Sequence, residues 1–321
     1  MNLVDTKEKK ILYQLDLNAR QSDASIGRKV GLSKYVVNHR IKKLLKNGII
    51  RYFYTMVDAS KLGFISCRLF IKFQYDNPEK EKEMVDFFMS KPYAWWIPTI
   101  EGQRDLAVII WTQNTYQFYE IIREVLEKYK PFIKDYNPGI YARFYQYRRA
   151  YLASMEKDES KAILTCFENR ADFDETDIKL LKVIAADARM PTVEIANQLN
   201  ITPETVRNRI NVLIKKKVIQ GFRPALDLKK LGYRWYKLML DLEDVSKKKY
   251  ILRYAKIHPN IVYAYEVIGG WDLELELEVE SYDKFKEIMH EIRHEFSDTI
   301  RYFDYFLVYE EHRILYMPMT I

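Results

Sequence analysis

The chain has 321 residues, of which 48% are hydrophobic and 30% charged, and its formal net charge is +7. This length exceeds what one hydrophobic core normally spans, so we expect two to four domains. No apolar run is long enough to cross a bilayer, and the two cysteines, Cys67 and Cys166, are too few for a disulfide framework or a thiolate zinc site. The composition therefore excludes integral membrane and disulfide-rich secreted proteins, and it favours the reducing cytoplasm.

Positive charge is concentrated in two regions of the chain. Residues 1–60 hold 12 Lys and Arg against 5 Asp and Glu, and residues 173–232 hold 11 against 7. Residues 233–321, in contrast, hold 12 against 17. Basic fields that are confined to two segments suit a polyanionic partner such as nucleic acid.

The first basic region has the pattern of a helix-turn-helix. Asp5 and Glu8 form a capping-box-like start, and Ser22 caps a second helix. Ser33 caps a third helix within Gly31–Gly48. Its apolar face recurs with a period of 3.6 at Val37, Ile41, Leu44 and Leu45. The other face carries groups suited to base edges at Ser33, Lys34, Tyr35, Asn38 and His39, and cations suited to phosphates at Lys42 and Lys43.

The next segment changes from helical to mixed patterning. Ile49 to Val57 is rich in β-branched and aromatic residues and predicts a strand. Residues 64–151 then predict the order β-α-β-β-α-β, which is the ferredoxin-like plan. Cys67 falls on the apolar side of the first of these strands, where we expect a small core residue.

The whole arrangement repeats after residues 152–172, which we predict to be a linker. Asp174, Arg209 and Leu231-Gly232 match Asp5, Arg40 and Leu62-Gly63 at an offset of 169. In the second recognition helix we predict groove contacts from Thr202, Glu204, Thr205, Arg207 and Asn208, and a phosphate contact from Lys215. The sequence thus predicts an α+β protein with two winged helix-turn-helix domains (1–62 and 173–231) alternating with two ferredoxin-like βαββαβ domains (63–151 and 232–321).

These motifs, taken together, resemble the Lrp/AsnC family of leucine-responsive regulators. The matching stretches are the G-L-S-x-x-x-V-x-x-R-I-K-K-L run at Gly31, the D-E-T-D-I-K-L-L run at Asp174, and the loops G-Q-R-D at Gly102 and G-G-W-D at Gly269. The resemblance implies a transcriptional regulator that binds double-stranded DNA. We predict no cofactor and no metal site. Members of the family usually have one unit, so this tandem chain is expected to be either a homo-oligomer or an intramolecular pseudo-dimer.

The resemblance also implies an effector site, for an amino acid or another small molecule, near the two loops. The residues carried over by position are Gly102, Arg104, Asp105, Gly269, Trp271 and Asp272. An Asp would bind an ammonium group, and Gly would leave backbone N–H groups open to a carboxylate. The alternative is that Gly and Asp are present for the geometry of a hairpin turn.

One strand of the second copy carries alternating glutamates at Glu274, Glu276 and Glu278, which we call the glutamate row. If two such faces paired they would repel each other, whereas the first copy offers Arg68 and Lys72. We therefore hypothesise that copy one pairs with copy two. The alternative is that the glutamate row faces water.

The sequence leaves three alternative functions. His290, Glu291 and His294 spell the H-E-x-x-H motif of zinc proteases, but no clear third ligand follows. Sirohaem decarboxylases are similar to this family and tend to have a His in the second strand of the ferredoxin-like domain, which is lacking at Trp95-Trp96-Ile97 and Tyr263-Ala264-Tyr265. Binding without sequence preference would indicate an architectural DNA-binding protein.

Overall fold

The computed structural model describes residues 4–75, 77–153 and 170–318, together with the backbone of residues 163–165. Copy one begins with three helices and a linking strand, which are α1 (Thr6–Leu17), α2 (Asp23–Val30), α3 (Lys34–Lys46) and β1 (Ile50–Val57). Asp5 and Glu8 form a capping box at α1, in which each side chain accepts a hydrogen bond from the other residue's backbone N–H. Ser22 and Ser33 cap α2 and α3 as predicted, and each hydroxyl accepts a hydrogen bond from a backbone N–H of the first turn.

A mixed unit follows in copy one. Its elements are β2 (Ile65–Phe73), α4 (Pro78–Met89), β3 (Ala94–Gly102), β4 (Leu106–Thr112), α5 (Thr115–Tyr129) and β5 (Ile133–Gln146). The order is the predicted βαββαβ. Of the expected linker, Ile163–Thr165 forms a short strand, β6, that pairs with the end of β5, while Cys166 lies outside the described residues.

Copy two repeats both units. Its helix-turn-helix unit and linking strand are α6 (Glu175–Ala186), α7 (Thr192–Leu199), α8 (Pro203–Lys215) and β7 (Ile219–Leu226). A one-turn helix and the mixed unit follow as α9 (Leu228–Leu231), β8 (Arg234–Leu242), α10 (Lys248–Ile257), β9 (Ile261–Ile268), β10 (Leu273–Val279), α11 (Tyr282–Glu295) and β11 (Ile300–Ile314). The predicted α+β fold class is confirmed.

Eight strands from the two mixed units close into one antiparallel barrel. The strand order is β2-β4-β3-β11-β8-β10-β9-β5, and β5 pairs back with β2. Two of these contacts join the copies, β3 with β11 and β5 with β9. Helices α4 and α5 pack on the copy-one strands and α10 and α11 on the copy-two strands, so both faces of the barrel wall are buried. Since every strand of the ring has two neighbours, the barrel leaves no open edge between the copies.

The two helix-turn-helix units are joined by the antiparallel pair β1–β7, which we call the linking sheet. Their contacts are reciprocal: an Arg20 Nη1–H donates to the Ala188 carbonyl at 2.7 Å, and an Arg189 Nη1–H donates to the Ala19 carbonyl at 2.7 Å. The buried residues of both units form one continuous hydrophobic core. The units are therefore related by an approximate twofold axis within one chain.

The glutamate row lies inside the barrel rather than in water. Glu274 and Glu278 are fully buried and Glu276 is 1% exposed. Arg68 of copy one lies 3.0 Å from the Glu274 carboxylate, and the Lys237 ammonium lies 2.9 Å from Glu274 and 3.1 Å from Glu276. The water-facing alternative is thus wrong, because pairing of the two copies within the chain covers this face and supplies its counter-ions.

The second partner that we predicted for the glutamate row, Lys72, lies elsewhere. Its ammonium pairs with Asp105 at 2.6 Å and is about one-third exposed. Glu278 instead pairs with Arg149 at 2.8 Å, and Arg149 also pairs with Asp16 of α1 at 2.9 Å. This buried chain of charges connects the first helix-turn-helix unit to the barrel strand of copy two.

Candidate DNA interface and loop cleft

The first recognition helix, α3, starts after Ser33, whose hydroxyl accepts a hydrogen bond from the Val36 backbone N–H at 3.3 Å. Its buried face consists of Val37, Ile41 and Leu44. Leu45, which we predicted to join this face, is 37% exposed because it lies one residue beyond the buried arc. All seven predicted contact residues are exposed, namely Ser33, Lys34, Tyr35, Asn38, His39, Lys42 and Lys43.

Some of these side chains already have partners in the unit. The Asn38 amide donates to Asp23 at 2.8 Å, and the Lys43 ammonium lies 3.1 Å from the buried Glu8 carboxylate. The Lys34 ammonium lies 4.9 Å from the centre of the Tyr35 ring. Lys43 is therefore held toward α1, whereas Lys34 and Tyr35 project together from the first turn of the helix.

The second recognition helix, α8, is built in the same way. The Thr202 hydroxyl accepts from the Thr205 backbone N–H at 3.1 Å, and Pro203 occupies the first turn, where its missing N–H is not needed. Val206, Ile210 and Leu213 are buried. Of the predicted contact residues Thr202, Glu204, Arg207, Asn208 and Lys215 are exposed, and Thr205 is half-buried.

Both helices are anchored by the same kind of ion pair on their inner side. Arg40 pairs with Asp5 and, at 3.6 Å, with Glu8, while Arg209 pairs with Asp174 and Asp177 at 2.8 Å. The Arg40 guanidinium lowers the pKa of Asp5. The Asp177 backbone N–H and then Arg209 lower the pKa of Asp174. Arg40 and Arg209 occupy equivalent positions in the two copies. Each holds its recognition helix against the first helix of its unit and leaves the outer face of the recognition helix unconstrained.

The outer faces of the two helices do differ. At the 169-residue offset, Tyr35 corresponds to Glu204 and Asn38 to Arg207. Val36 corresponds to Thr205 and is 41% exposed, yet it was missing from our predicted contacts. The offset itself was the signal that could have identified it. An exposed Val at this place offers an apolar contact of the kind that a thymine methyl group accepts.

The two predicted effector loops face each other across the end of the barrel, but their aspartates point into the turns. The Asp105 carboxylate accepts from the Phe73 backbone N–H at 2.7 Å and from Lys72 at 2.6 Å. The Asp272 carboxylate accepts from the Leu242 backbone N–H at 2.9 Å. Both aspartates thus stabilise hairpin geometry, which favours the alternative interpretation for these two residues.

The remaining loop residues line a cleft of about 460 Å³ between the copies, which we call the loop cleft. Arg104 and Trp271, predicted from the loops, form part of its wall, as does Gly270, which adopts a φ of +120°. Gly102 and Gly269 flank it in the turns. Sequence reasoning missed four polar residues of the wall that come from plain strand positions, Asn137, Asp241, Arg301 and Asp304.

The charges in the loop cleft are unevenly paired. Arg301 pairs with Asp241 at 2.7 Å, and Arg104 pairs with Asp135. The Asp304 carboxylate accepts from the Tyr305 backbone N–H at 2.8 Å, and burial raises its pKa against the opposing effects of that hydrogen bond and Arg104. Trp271 stacks on Tyr302 with 5.6 Å between ring centres. The cleft therefore presents an aromatic platform, two guanidinium groups and a carboxylate that a cation would stabilise.

The H-E-x-x-H motif lies on the exposed side of α11. His290, Glu291 and His294 are all exposed, and Glu291 accepts a hydrogen bond from the Tyr254 hydroxyl at 3.1 Å. Within the described residues no cluster of three or more His, Cys, Asp or Glu could hold a metal ion. Nor does any described helix have the length and apolarity needed to cross a membrane.

Comparison with known proteins gives both a sequence family and a fold. The model of the family described as winged helix-turn-helix DNA-binding matches residues 4–51 and 173–220. The HTH-type transcriptional regulator Ptr1 of Methanocaldococcus jannaschii is 31% identical over 115 residues, which are 35% of this chain and 78% of Ptr1.

Among solved structures, the sirohaem decarboxylase NirDL superposes with a TM-score of 0.66 over 97% of this chain and 94% of its own, at 13% identity. AsnC of Escherichia coli matches 44% of this chain and 94% of its own, with a TM-score of 0.40 and 20% identity. The NirDL likeness extends over both units and shows the fold alone, whereas the identity to Ptr1 covers most of a single-unit regulator. The chain belongs to the Lrp/AsnC family of helix-turn-helix transcriptional regulators, and it carries two units in tandem.

Proposed function

We propose that this chain is a sequence-specific DNA-binding transcriptional regulator in which one polypeptide binds a non-palindromic operator. The observation that carries the proposal is the pair of capped recognition helices held in one twofold frame but bearing different outer faces. A homodimer of identical units would favour a palindrome, because operator symmetry mirrors protein symmetry. A pseudo-dimer with two different faces favours two different half-sites in a fixed order.

The proposed roles follow from position on each helix. Residues in the first turns, near the capping Ser33 and Thr202, contact base edges, and Lys42 and Lys215 contact phosphates. Arg207 suits a guanine, since its guanidinium can donate to both acceptors of that base, and Asn38 suits an adenine. Glu204 would accept from a cytosine amino group. The basic charge of residues 1–60 and 173–232 supplies the part of the affinity that does not depend on sequence.

The test is selection of bound fragments from a random DNA pool, followed by a salt titration of the selected sites. We expect one enriched site with two unlike halves, and an affinity that falls steeply as salt rises. Enrichment of a palindrome would contradict the two-face proposal. Binding without enrichment would indicate an architectural protein, and no binding at low salt would overturn the regulator proposal.

A matched pair of grafted variants makes the test sharper. One variant copies the first face onto the second helix through Glu204→Tyr, Thr205→Val, Arg207→Asn and Asn208→His. The other makes the reverse changes, Tyr35→Glu, Val36→Thr, Asn38→Arg and His39→Asn. Each variant should select a palindrome, and each palindrome should repeat a different half of the natural site.

The loop cleft supports a second element of the proposal, an amino-acid effector. Asp304 would bind the ammonium group and Arg104 the carboxylate, and Trp271 would contact the side chain. Calorimetric titration with the twenty amino acids should identify a ligand whose affinity falls at least tenfold in Asp304→Asn, which removes the charge at constant shape. Unchanged affinity in that variant would contradict this assignment, while leaving DNA binding untouched.

Tetrapyrrole decarboxylation is the second candidate function, because NirDL shares the fold over the whole chain. The described strands β3 and β9 contain no His, and both recognition helices keep polar faces, so we favour the regulator. Incubation of the purified chain with sirohaem, with mass spectrometric detection of carboxyl loss, distinguishes the two. The regulator proposal also implies that the protein works in the cytoplasm, where its DNA is.

A further inference from the structure

A second cavity lies inside the barrel, at the end nearest the linking sheet and away from the loop cleft. It has a volume of about 70 Å³. One water molecule needs roughly 10–15 Å³ of such space, so the cavity is larger than a single-water site. Its wall is largely aromatic, with four indole rings, those of Trp95, Trp96, Trp111 and Trp235, and the rings of several tyrosines and one phenylalanine. We call it the aromatic cavity.

The two copies differ in size at one strand position in the cavity wall. Ser66 on β2 corresponds to Trp235 on β8 at the 169-residue offset, and both residues line the cavity. Where copy two fills the barrel with an indole ring, copy one has a hydroxymethyl group. Across from Ser66 in the sheet, Trp111 keeps the space walled by an aromatic ring. Large aromatic side chains therefore make up most of the wall, and Ser66 is one of its few small residues.

Two hydrogen-bond donors in the cavity wall lack acceptors. The Ser66 side chain is only 7% exposed, and its hydroxyl has no hydrogen-bond partner among the described residues. The Trp95 indole N–H is likewise buried without one, although its ring stacks on Trp111 at 5.1 Å. A buried polar group that is left unpaired costs free energy, so native structures normally supply a partner. Here the missing partner is an acceptor.

The charge in the wall is already neutralised. The Glu276 carboxylate is the charged group that lines the cavity, and it accepts hydrogen bonds from Lys237 at 3.1 Å and from the Trp235 indole N–H at 2.9 Å. An ionised ligand would bring a second charge into an apolar space with no counter-ion directed at it, which is costly. A ligand of this cavity would therefore have to be neutral.

We propose that the aromatic cavity binds a small, neutral aromatic molecule that carries a carbonyl-type hydrogen-bond acceptor. The ring would stack on the surrounding indoles and phenols. The carbonyl-type oxygen would accept a hydrogen bond from the Ser66 hydroxyl or the Trp95 indole N–H. Met56 and Val57 at the end of β1 also form part of the wall. An occupant thus contacts the strand that holds the two helix-turn-helix units together, and the site is separate from the loop cleft.

Acetophenone, ethylbenzene and benzoate are the probes, because they share a ring and differ in acceptor and charge. The full chain is titrated with each by calorimetry at pH 7, and its melting temperature is followed in parallel. We expect acetophenone to bind one-to-one and raise the melting temperature, ethylbenzene to bind roughly three- to tenfold more weakly for lack of one hydrogen bond, and benzoate to give no binding. No binding of acetophenone, or equal binding of benzoate, would overturn the proposal.

Variants separate the cavity from other sites. Ser66→Leu fills the space with apolar atoms and should abolish acetophenone binding, whereas Trp271→Leu in the loop cleft should leave it unchanged. Ser66→Ala removes the hydroxyl alone, which keeps the proposal testable if leucine disturbs folding. This variant should weaken acetophenone roughly three- to tenfold and leave ethylbenzene unaffected. Wild-type affinity for acetophenone in both Ser66 variants would refute the assignment.

Discussion

The two halves of this chain share a structural frame and differ on the outer faces of their recognition helices. Arg40 with its acidic partners Asp5 and Glu8 is repeated as Arg209 with Asp174 and Asp177, and both sets hold a recognition helix against the first helix of its unit. The outer faces of those helices, in contrast, replace a tyrosine by a glutamate and an asparagine by an arginine. Residues that build the twofold frame have been kept, and residues that would select a half-site have diverged.

The barrel shows the same division. Arg68 and Lys237 are equivalent positions in the two copies, and both are cations that face the glutamate row. Beside them, Ser66 and Trp235 are equivalent but differ in size, and both line the aromatic cavity. The duplication therefore allowed one copy to change without disturbing its counterpart, which identical subunits of a homodimer cannot do.

The largest loss of stability is expected when a buried cation is removed from the interface between the two copies. Lys237→Met removes the ammonium that contacts Glu274, Glu276 and the Tyr141 hydroxyl. An uncompensated buried carboxylate costs about 3–5 kcal/mol, so the free energy of unfolding in urea should fall by that amount. Lys72→Met, which breaks a partly exposed pair, should cost about 1 kcal/mol or less. Equal losses of unfolding free energy in the two variants would show that burial of the ion pair does not determine its contribution to stability.

Acidification should destabilise copy two through His258, which precedes Pro259 as Lys91 precedes Pro92 in copy one. Burial lowers the pKa of His258 from 6.5 to about 4, and the ring nitrogen Nδ1 accepts from the Asn260 backbone N–H at 3.2 Å. Because the folded state has the lower pKa, the stability it contributes is complete above pH 6.5 and is lost as the pH falls toward 4.

The expected loss is about 2 kcal/mol between pH 7 and pH 5, at roughly 1.4 kcal/mol for each pKa unit. Urea unfolding at several pH values measures it. His258→Asn should flatten the pH dependence in this range, and an unchanged slope in that variant would rule out His258 as the titrating group.

The helices, the repeat and the βαββαβ order could be predicted because they depend on local periodicity and capping. The burial of the glutamate row could not be decided from the strand itself, since alternation of Leu and Glu is the usual pattern of a strand with one wet face. Its counter-ions, Arg68, Lys237 and Arg149, come from three separate segments. Only the closure of the barrel brings them together.

The candidate sites, like the fold, could be predicted from the sequence only in part. The outer face of a recognition helix follows from helical spacing, so its exposed polar residues were found, whereas the exposure of Val36 and Leu45 was missed. The loop motifs gave the location of the loop cleft but assigned its chemistry to Asp105 and Asp272, which hold the turns. Asp304 and Arg301 lie on β11 in no motif, and their contribution depends on the pairing of that strand with β3 and β8.

Substitutions in the two recognition helices should relax base preference in different half-sites. Arg207→Ala should cost about 1–3 kcal/mol of binding to the selected operator and relax base preference in one half-site. Asn38→Ala should do the same in the other half-site, with a smaller loss because its amide also bonds Asp23. Affinities for operators substituted in each half measure both effects. If either variant relaxed both halves, the assignment of one helix to one half-site would be wrong.

The smallest effect distinguishes two adjacent lysines of the first recognition helix. Lys42→Gln should reduce the slope of log affinity against log salt by about 1, which is the contribution of one phosphate contact. Lys43→Gln should change the slope less, because its ammonium already lies 3.1 Å from Glu8 and must leave that carboxylate to reach DNA. Titrations between about 50 and 200 mM salt measure the slopes. The residue equivalent to Lys42 in copy two is Asn211, so the matching Asn211→Gln variant should leave the slope unchanged. If Lys43→Gln changed the slope more than Lys42→Gln, the ion pair between Lys43 and Glu8 would have to break when DNA binds.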